Sequence, residues 1–103
     1  MFIIILVTAK DVSEAERISR ALVEQKLVAC ANILPGVKSI FRWEGKIDTS
    51  DEALLILKTK KALFKKVEKA VKSLHSYTTP EVIALPIGQG SKEYLKWIEE
   101  SVQ

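Results

Sequence analysis

Cysteine, histidine, glycine and proline are all scarce in this chain, and each shortage narrows what it can be. The single cysteine, Cys30, excludes an intrachain disulfide. The reducing cytoplasm is therefore the expected compartment. One histidine, His75, must carry any imidazole chemistry alone. The four glycines form no Walker loop, dinucleotide fingerprint or nucleophile elbow, and no pair of cysteines carries metal-ligand spacing. No apolar stretch approaches the roughly 20 residues that cross a membrane. The run Phe2 to Val7 is too short for a signal-peptide core and has no basic leader. Charge of one sign is also in short supply: 16 basic against 13 acidic residues leave a net +3. A nucleic-acid partner calls for a steeper or more concentrated basic excess, so none is expected, and neither is a membrane partner.

What is present is an ordinary globular composition, 48% hydrophobic and 28% charged, in 103 residues. That length suits one domain, residues 1–103. A core of this size covers roughly two-thirds of the surface that the unfolded chain exposes, so self-association would add useful stability. Phe2 to Val7 is short, β-branched and unbroken, the pattern of a central strand buried on both faces. Asp11 and Glu14 then make a capping-box-like pair that opens a helix. Ala15, Ile18, Ala21 and Leu22 share one face of that helix, whereas Glu14, Arg17, Arg20 and Glu24 point away from it.

Leu27 to Leu34 is apolar again until Pro35-Gly36 bends or bulges it. Val37 to Trp43 alternates, Glu44-Gly45 turns the chain, and an irregularity is expected at Thr49 to Asp51 before the buried strand Ala53 to Lys58. These segments form one long bent hairpin. Thr59 is the expected cap of a second helix, whose apolar face is Leu63, Val67, Ala70, Val71 and Leu74 and whose other face holds six lysines. Val82 to Ile87 is a fourth strand, with Pro86 marking an edge. Ser91 caps a short terminal helix striped by Tyr94, Leu95, Ile98 and Val102.

The order strand, helix, strand, strand, helix, strand, helix predicts an α+β, ferredoxin-like split β-α-β fold with an antiparallel sheet, a long bent hairpin and a C-terminal helix. Two helices cover one sheet face. Phe41, Trp43 and the apolar strands leave the other face too apolar for water, and one short helix is too little to cover it. That surplus marks an association surface. Other functions of this topology fit less well. Thr8 to Asp11 has neither glycine nor arginine for an acylphosphatase-type phosphate loop, and the strands lack the stacking aromatics of an RNA-recognition domain.

Few residues are left to carry chemistry. His75 at a helix end reads first as a cation answering the helix dipole, with a ligand or acid–base role as the alternative. Cys30 in an apolar strand reads as an inert buried thiol. A soft metal such as copper would accept thiolate, imidazole and a carboxylate such as Glu81 together, with neighbouring subunits completing the set. The lysine face reads as solvated surface, and Trp43 as part of an interface.

Several runs resemble the CutA (divalent-cation tolerance) family. They are Leu22 to Gly36 (LVEQKLVACANILPG), Ser39 to Lys46 (SIFRWEGK), Leu55 to Thr59 (LILKT), His75 to Glu81 (HSYTTPE), Ala84 to Pro86, and Tyr94 to Trp97. They lie in order along nearly the whole chain. The resemblance implies a cytoplasmic homotrimer without catalytic turnover that binds divalent metal, copper most often. By motif position it implies Cys30, His75 and Glu81 as ligands, with Trp43, Lys58 and Tyr77 near the inter-subunit cleft. It also implies a likeness to PII signalling trimers, in which a small anionic ligand would sit between subunits. Ser76 departs from the pattern, standing where the family has proline.

Overall fold

The computed structural model describes all residues, Met1–Gln103. In chain order they form β1 (Phe2–Ala9), α1 (Val12–Glu24), β2 (Cys30–Trp43), β3 (Lys46–Lys60), a 3-10 turn (Lys61–Leu63), α2 (Phe64–Leu74), β4 (Ile83–Pro86) and α3 (Lys92–Ser101). The four strands make one sheet in the order β2-β3-β1-β4, antiparallel at every pairing. This is the ferredoxin-like arrangement expected from the element order.

The unbroken apolar run of β1 hides an alternation. Ile3, Ile5, Val7 and Ala9 are buried, while Phe2, Ile4, Leu6 and Thr8 are half-buried. Directly paired residues share a sheet face, so the register carries this split across the sheet. Val7 lies opposite Leu55 and Ile5 opposite Leu57 on the helix side, where Ala15, Ile18 and Leu22 of α1 and Val67 and Val71 of α2 close the core. Each of the Val, Leu and Ile side chains among them stabilises the fold by about 1.5–3 kcal/mol through burial. On the reverse face Leu6 lies opposite Ile56 and Thr8 opposite Leu54, all half-buried. Strand β1 is thus central, but only one of its faces is sealed.

At the end where β1 begins, α3 packs Ile98 and Val102 against Ala29 and Leu63, with Phe2 and Leu95 alongside. The remainder of the reverse face stays open, and Leu34, Ile83 and Leu85 are exposed there by 42–52%. Pro86 pairs with Ile3 on the edge strand β4, where its missing N–H costs no ladder bond.

Strands β2 and β3 run far beyond the core, giving a molecule 44 Å long and 25 Å wide. Their register shifts between Leu34 and Val37, where Gly36 takes φ +71°, so the expected bulge sits at Pro35-Gly36. The irregularity expected at Thr49 to Asp51 does not occur. That segment pairs without interruption with Ser39, Ile40 and Lys38, because the extra residue lies in β2 and β3 stays regular opposite it. The tip is a two-residue turn with both φ values positive, 49° at Glu44 and 77° at Gly45, a conformation that matches strand twist.

Thr59 is not a helix cap. It remains in β3, fully buried, and its hydroxyl donates to the Leu27 carbonyl at 2.6 Å. The strand runs through it to Lys60, and the 3-10 turn leads into α2 without any side-chain cap. By contrast Asp11 caps α1 as expected, accepting from the Glu14 N–H at 2.8 Å.

Candidate functional site

The site grows from the loop between α2 and β4. At His75 the backbone leaves the helix for an extended conformation, its N–H still donating to the Val71 carbonyl at 2.9 Å. The turn outward drives the ring inward, and the side chain is fully buried. Its Nδ1 accepts the Tyr77 N–H at 3.0 Å, which leaves Nε2 to donate to the Thr8 carbonyl at 2.7 Å. Both nitrogens are therefore occupied by backbone. The ring does not stand free at the helix end, as the helix-dipole reading implied: it is a buried tie between loop and β1.

Glu14 supplies a second tie. Its side chain is also buried, and its two oxygens accept the Lys10 N–H at 3.0 Å and the Ser76 N–H at 2.8 Å. Burial pushes its carboxyl up, but the hydrogen bonds from the Lys10 N–H and from Ser76 outweigh that and hold it below the usual carboxylate range. Glu14 does not face away from the core with Arg17 and Arg20. The loop that closes over the first turn of α1 buries it.

Held at Ser76 and His75, the loop projects Tyr77 across the end of the sheet. Its ring tilts against His75 with centroids 4.6 Å apart, and its hydroxyl donates to Glu52 Oε2 at 2.7 Å. Burial, then the bond to Glu52 and its charge, push the phenol up to about 12.

Between loop and hairpin lies a cleft of about 830 Å³. Phe41, Trp43 and Tyr77 give it aromatic walls, Asp48, Glu52 and Glu81 give it carboxylates, and serine and threonine hydroxyls fill the remaining rim. No lysine, arginine or histidine lines it. Burial, followed by repulsion from Glu52, raises the Glu81 carboxyl above its ordinary value.

The residues singled out in the sequence fall at two places. Trp43, Tyr77 and Glu81 meet in the cleft. Cys30 does not join them. It pairs with Lys58 at the level of Ile4, and its sulfur lies 3.6 Å from the Tyr94 hydroxyl. His75 is tied to Thr8, four residues further along β1, or about 13 Å at the rise of a strand. Within one chain no three His, Cys, Asp or Glu side chains converge as a metal site would require. Lys58 also lies at the Cys30 level, where its ammonium donates to the Asn32 side chain. Sequence reasoning missed Glu14 and Glu52. The pairing of Glu14 with the Asp11 cap was a signal for the first. Glu52 had none, since only the register and the folded loop bring it to Tyr77.

Residues 3–101 match the family model described as CutA1 divalent ion tolerance protein. The chain belongs to the CutA family. A divalent-cation tolerance protein CutA of Archaeoglobus fulgidus is 50% identical over 99 residues, 96% of each chain. The solved structure described as the periplasmic divalent cation tolerance protein CutA from that organism superposes with a TM-score of 0.97 over the whole of both chains. The divalent cation tolerance protein of Thermus thermophilus does so with a TM-score of 0.98 at 45% identity, again over the whole of both chains. These names speak of divalent-cation tolerance and not of an enzyme. The word periplasmic also shows that cytoplasmic residence does not follow from membership of the family. No helix of this chain is long and apolar enough to cross a membrane.

Proposed function

We propose that the protein is a cytoplasmic homotrimer that binds divalent metal ions, copper among them, at sites that a single chain does not complete. The observation that carries this reading is a mismatch. The family is one of divalent-ion tolerance, yet one chain offers ligand groups only in separate pieces: a half-buried thiol at Cys30 and carboxylates in the cleft. The open apolar sheet face and the projecting hairpin give a second chain a surface to cover. A neighbour seated there would set its own groups beside these. In this reading Cys30 and Glu81 are ligands from different subunits, with thiolate preference favouring copper. His75 joins them only by leaving Thr8 and Tyr77; otherwise it positions the loop that carries Tyr77 and Glu81. A reducing compartment suits the free thiol.

The test is calorimetric titration of the metal-free protein with Cu(II), its mass in solution measured alongside. Saturable uptake in proportion to chains, on a particle of three, supports the reading, and Cys30→Ser and Glu81→Gln should each weaken it. A trimer that ignores copper, or one whose affinity neither substitution changes, refutes the ligand assignment. A monomer refutes the assembly.

A further inference from the structure

The cleft at the root of the hairpin holds groups that the proposed metal site does not use, Glu52 and three aromatic side chains. Glu52 is nine-tenths buried, with one oxygen taken by the Tyr77 hydroxyl. Its other oxygen receives no hydrogen bond from the chain, and neither Glu52 nor Glu81 has a basic group within ion-pair distance. That oxygen is not sealed from solvent, so it is open to the cleft and available to a cation there. The volume of about 830 Å³ is far larger than an ion needs and falls within the roughly 300–1,000 Å³ typical of small-molecule sites. Three aromatic side chains wall it. Such walls do nothing for a hard metal ion, which asks for converging oxygens, but they attract an organic cation through the ring quadrupole. An anionic ligand, the alternative raised by the likeness to PII proteins, would meet three carboxylates and no positive side chain of this chain.

We propose that this cleft binds a small organic ammonium ion, seated on Glu52 and Glu81 between Trp43 and Tyr77. The Ser and Thr hydroxyls of the rim accept or donate to polar substituents of the ligand. Glu81 is shared with the proposed metal site, but Glu52, Trp43 and Tyr77 are not, so substitutions at Glu52 and Trp43 test this reading without touching a proposed metal ligand.

The experiment is calorimetric titration of the intact, metal-free assembly with choline and with ethanolamine. The controls are dimethylbutanol, which is the uncharged carbon isostere of choline, and inorganic phosphate. Saturable binding of either ammonium, weakened by added salt and absent for both controls, is the expected result. Glu52→Gln keeps an acceptor for Tyr77 and should weaken binding about tenfold or more. Trp43→Ala removes a half-exposed ring without opening the core and should weaken it roughly three- to thirty-fold. Choline and ethanolamine together distinguish a site that needs N–H donors from one that reads charge and shape. The proposal is overturned if neither ammonium binds, if dimethylbutanol binds as well as choline, or if both substitutions leave affinity unchanged. It is also overturned if Glu52→Gln loosens the assembly while the native protein takes up no ammonium, because a neighbouring chain's basic side chain then fills the cleft. Copper uptake without ammonium binding overturns this proposal and leaves the metal reading intact.

Discussion

Replacing Glu14 should do more damage than its place on a charged helix turn suggests. The carboxylate is buried and accepts two backbone N–H groups, one at the start of its own helix and one in the distant loop. Glu14→Ala would leave both donors without a protein partner. At about 1–3 kcal/mol for each orphaned group, the expected loss is roughly 2–6 kcal/mol. Glu14→Gln keeps one acceptor oxygen but turns an amide N–H₂ toward a second donor, so its cost should be about 1–3 kcal/mol. The pH dependence adds a sharper test. The folded-state pKa of Glu14 is lowered. Its stabilisation is therefore complete above the unfolded carboxyl value of about 4.3 and is lost as pH falls through the folded value. The gap between native protein and Glu14→Gln should thus be widest near neutral pH and shrink as pH falls below the unfolded carboxyl value. Urea unfolding at one fixed protein concentration measures it, since the proposed assembly would make the midpoint concentration-dependent. Hydrogen exchange at residues 76–81 should accelerate in the variant before global unfolding does. A gap below about 0.5 kcal/mol at neutral pH, or one that does not change with acidification, would refute the argument.

Two further outcomes rest on separate features. The Tyr77 phenol should lose its proton only near pH 12 in a spectrophotometric titration, and Glu52→Gln should bring it back toward the ordinary value of about 10. Because the folded value is raised, the stability this phenol contributes is full below that ordinary value and is lost as pH rises through the folded one. Tyr77→Phe, which removes a 2.7 Å bond to a carboxylate, should cost about 1–2 kcal/mol at neutral pH by urea unfolding; an unchanged midpoint would show that water replaces the bond at no loss. At the hairpin tip, Glu44 adopts a left-handed φ of 49° that suits asparagine better. Glu44→Asn should raise stability by roughly 0.5–1 kcal/mol, and a fall in the unfolding midpoint would contradict this.

Much of this protein could be read from its residues because local chemistry and burial agree along most of the chain. The Asp11 cap, the Pro35-Gly36 bulge and the Glu44-Gly45 turn each follow from residue types with few conformational options. The apolar periods of α1, α2 and α3 follow from the need of each helix to hide one face. Element order then left the ferredoxin-like topology as the arrangement of short connections. The misreadings occurred where that agreement stops. The run Phe2 to Val7 is apolar at every position, so pattern alone read it as buried on both faces, whereas one face remains open to association. Thr59 resembles a cap in type, but β3 continues through it because its hydroxyl finds the Leu27 carbonyl across the fold. Glu14 resembles surface charge because nothing nearby in sequence shows that a loop more than 60 residues away will close on it.

The candidate site divides in the same way. Its inventory was legible: one thiol, one imidazole, the aromatic tip of a hairpin, and Glu81 after a proline. Its geometry was not, because distances between residues remote in sequence are set by register and packing. The sheet separates Cys30 from His75 along β1, and it gathers Trp43, Glu52, Tyr77 and Glu81 around one cleft. Sequence by itself determined the elements, their order, the surplus of apolar surface and the family, since these rest on side-chain chemistry repeated at short range. Only the tertiary structure decided that the sole histidine is a buried tie with both nitrogens engaged and that the only charged groups lining the cleft are carboxylates. Hydrogen bonds and charge pairings between distant segments exist only once the chain has closed upon itself.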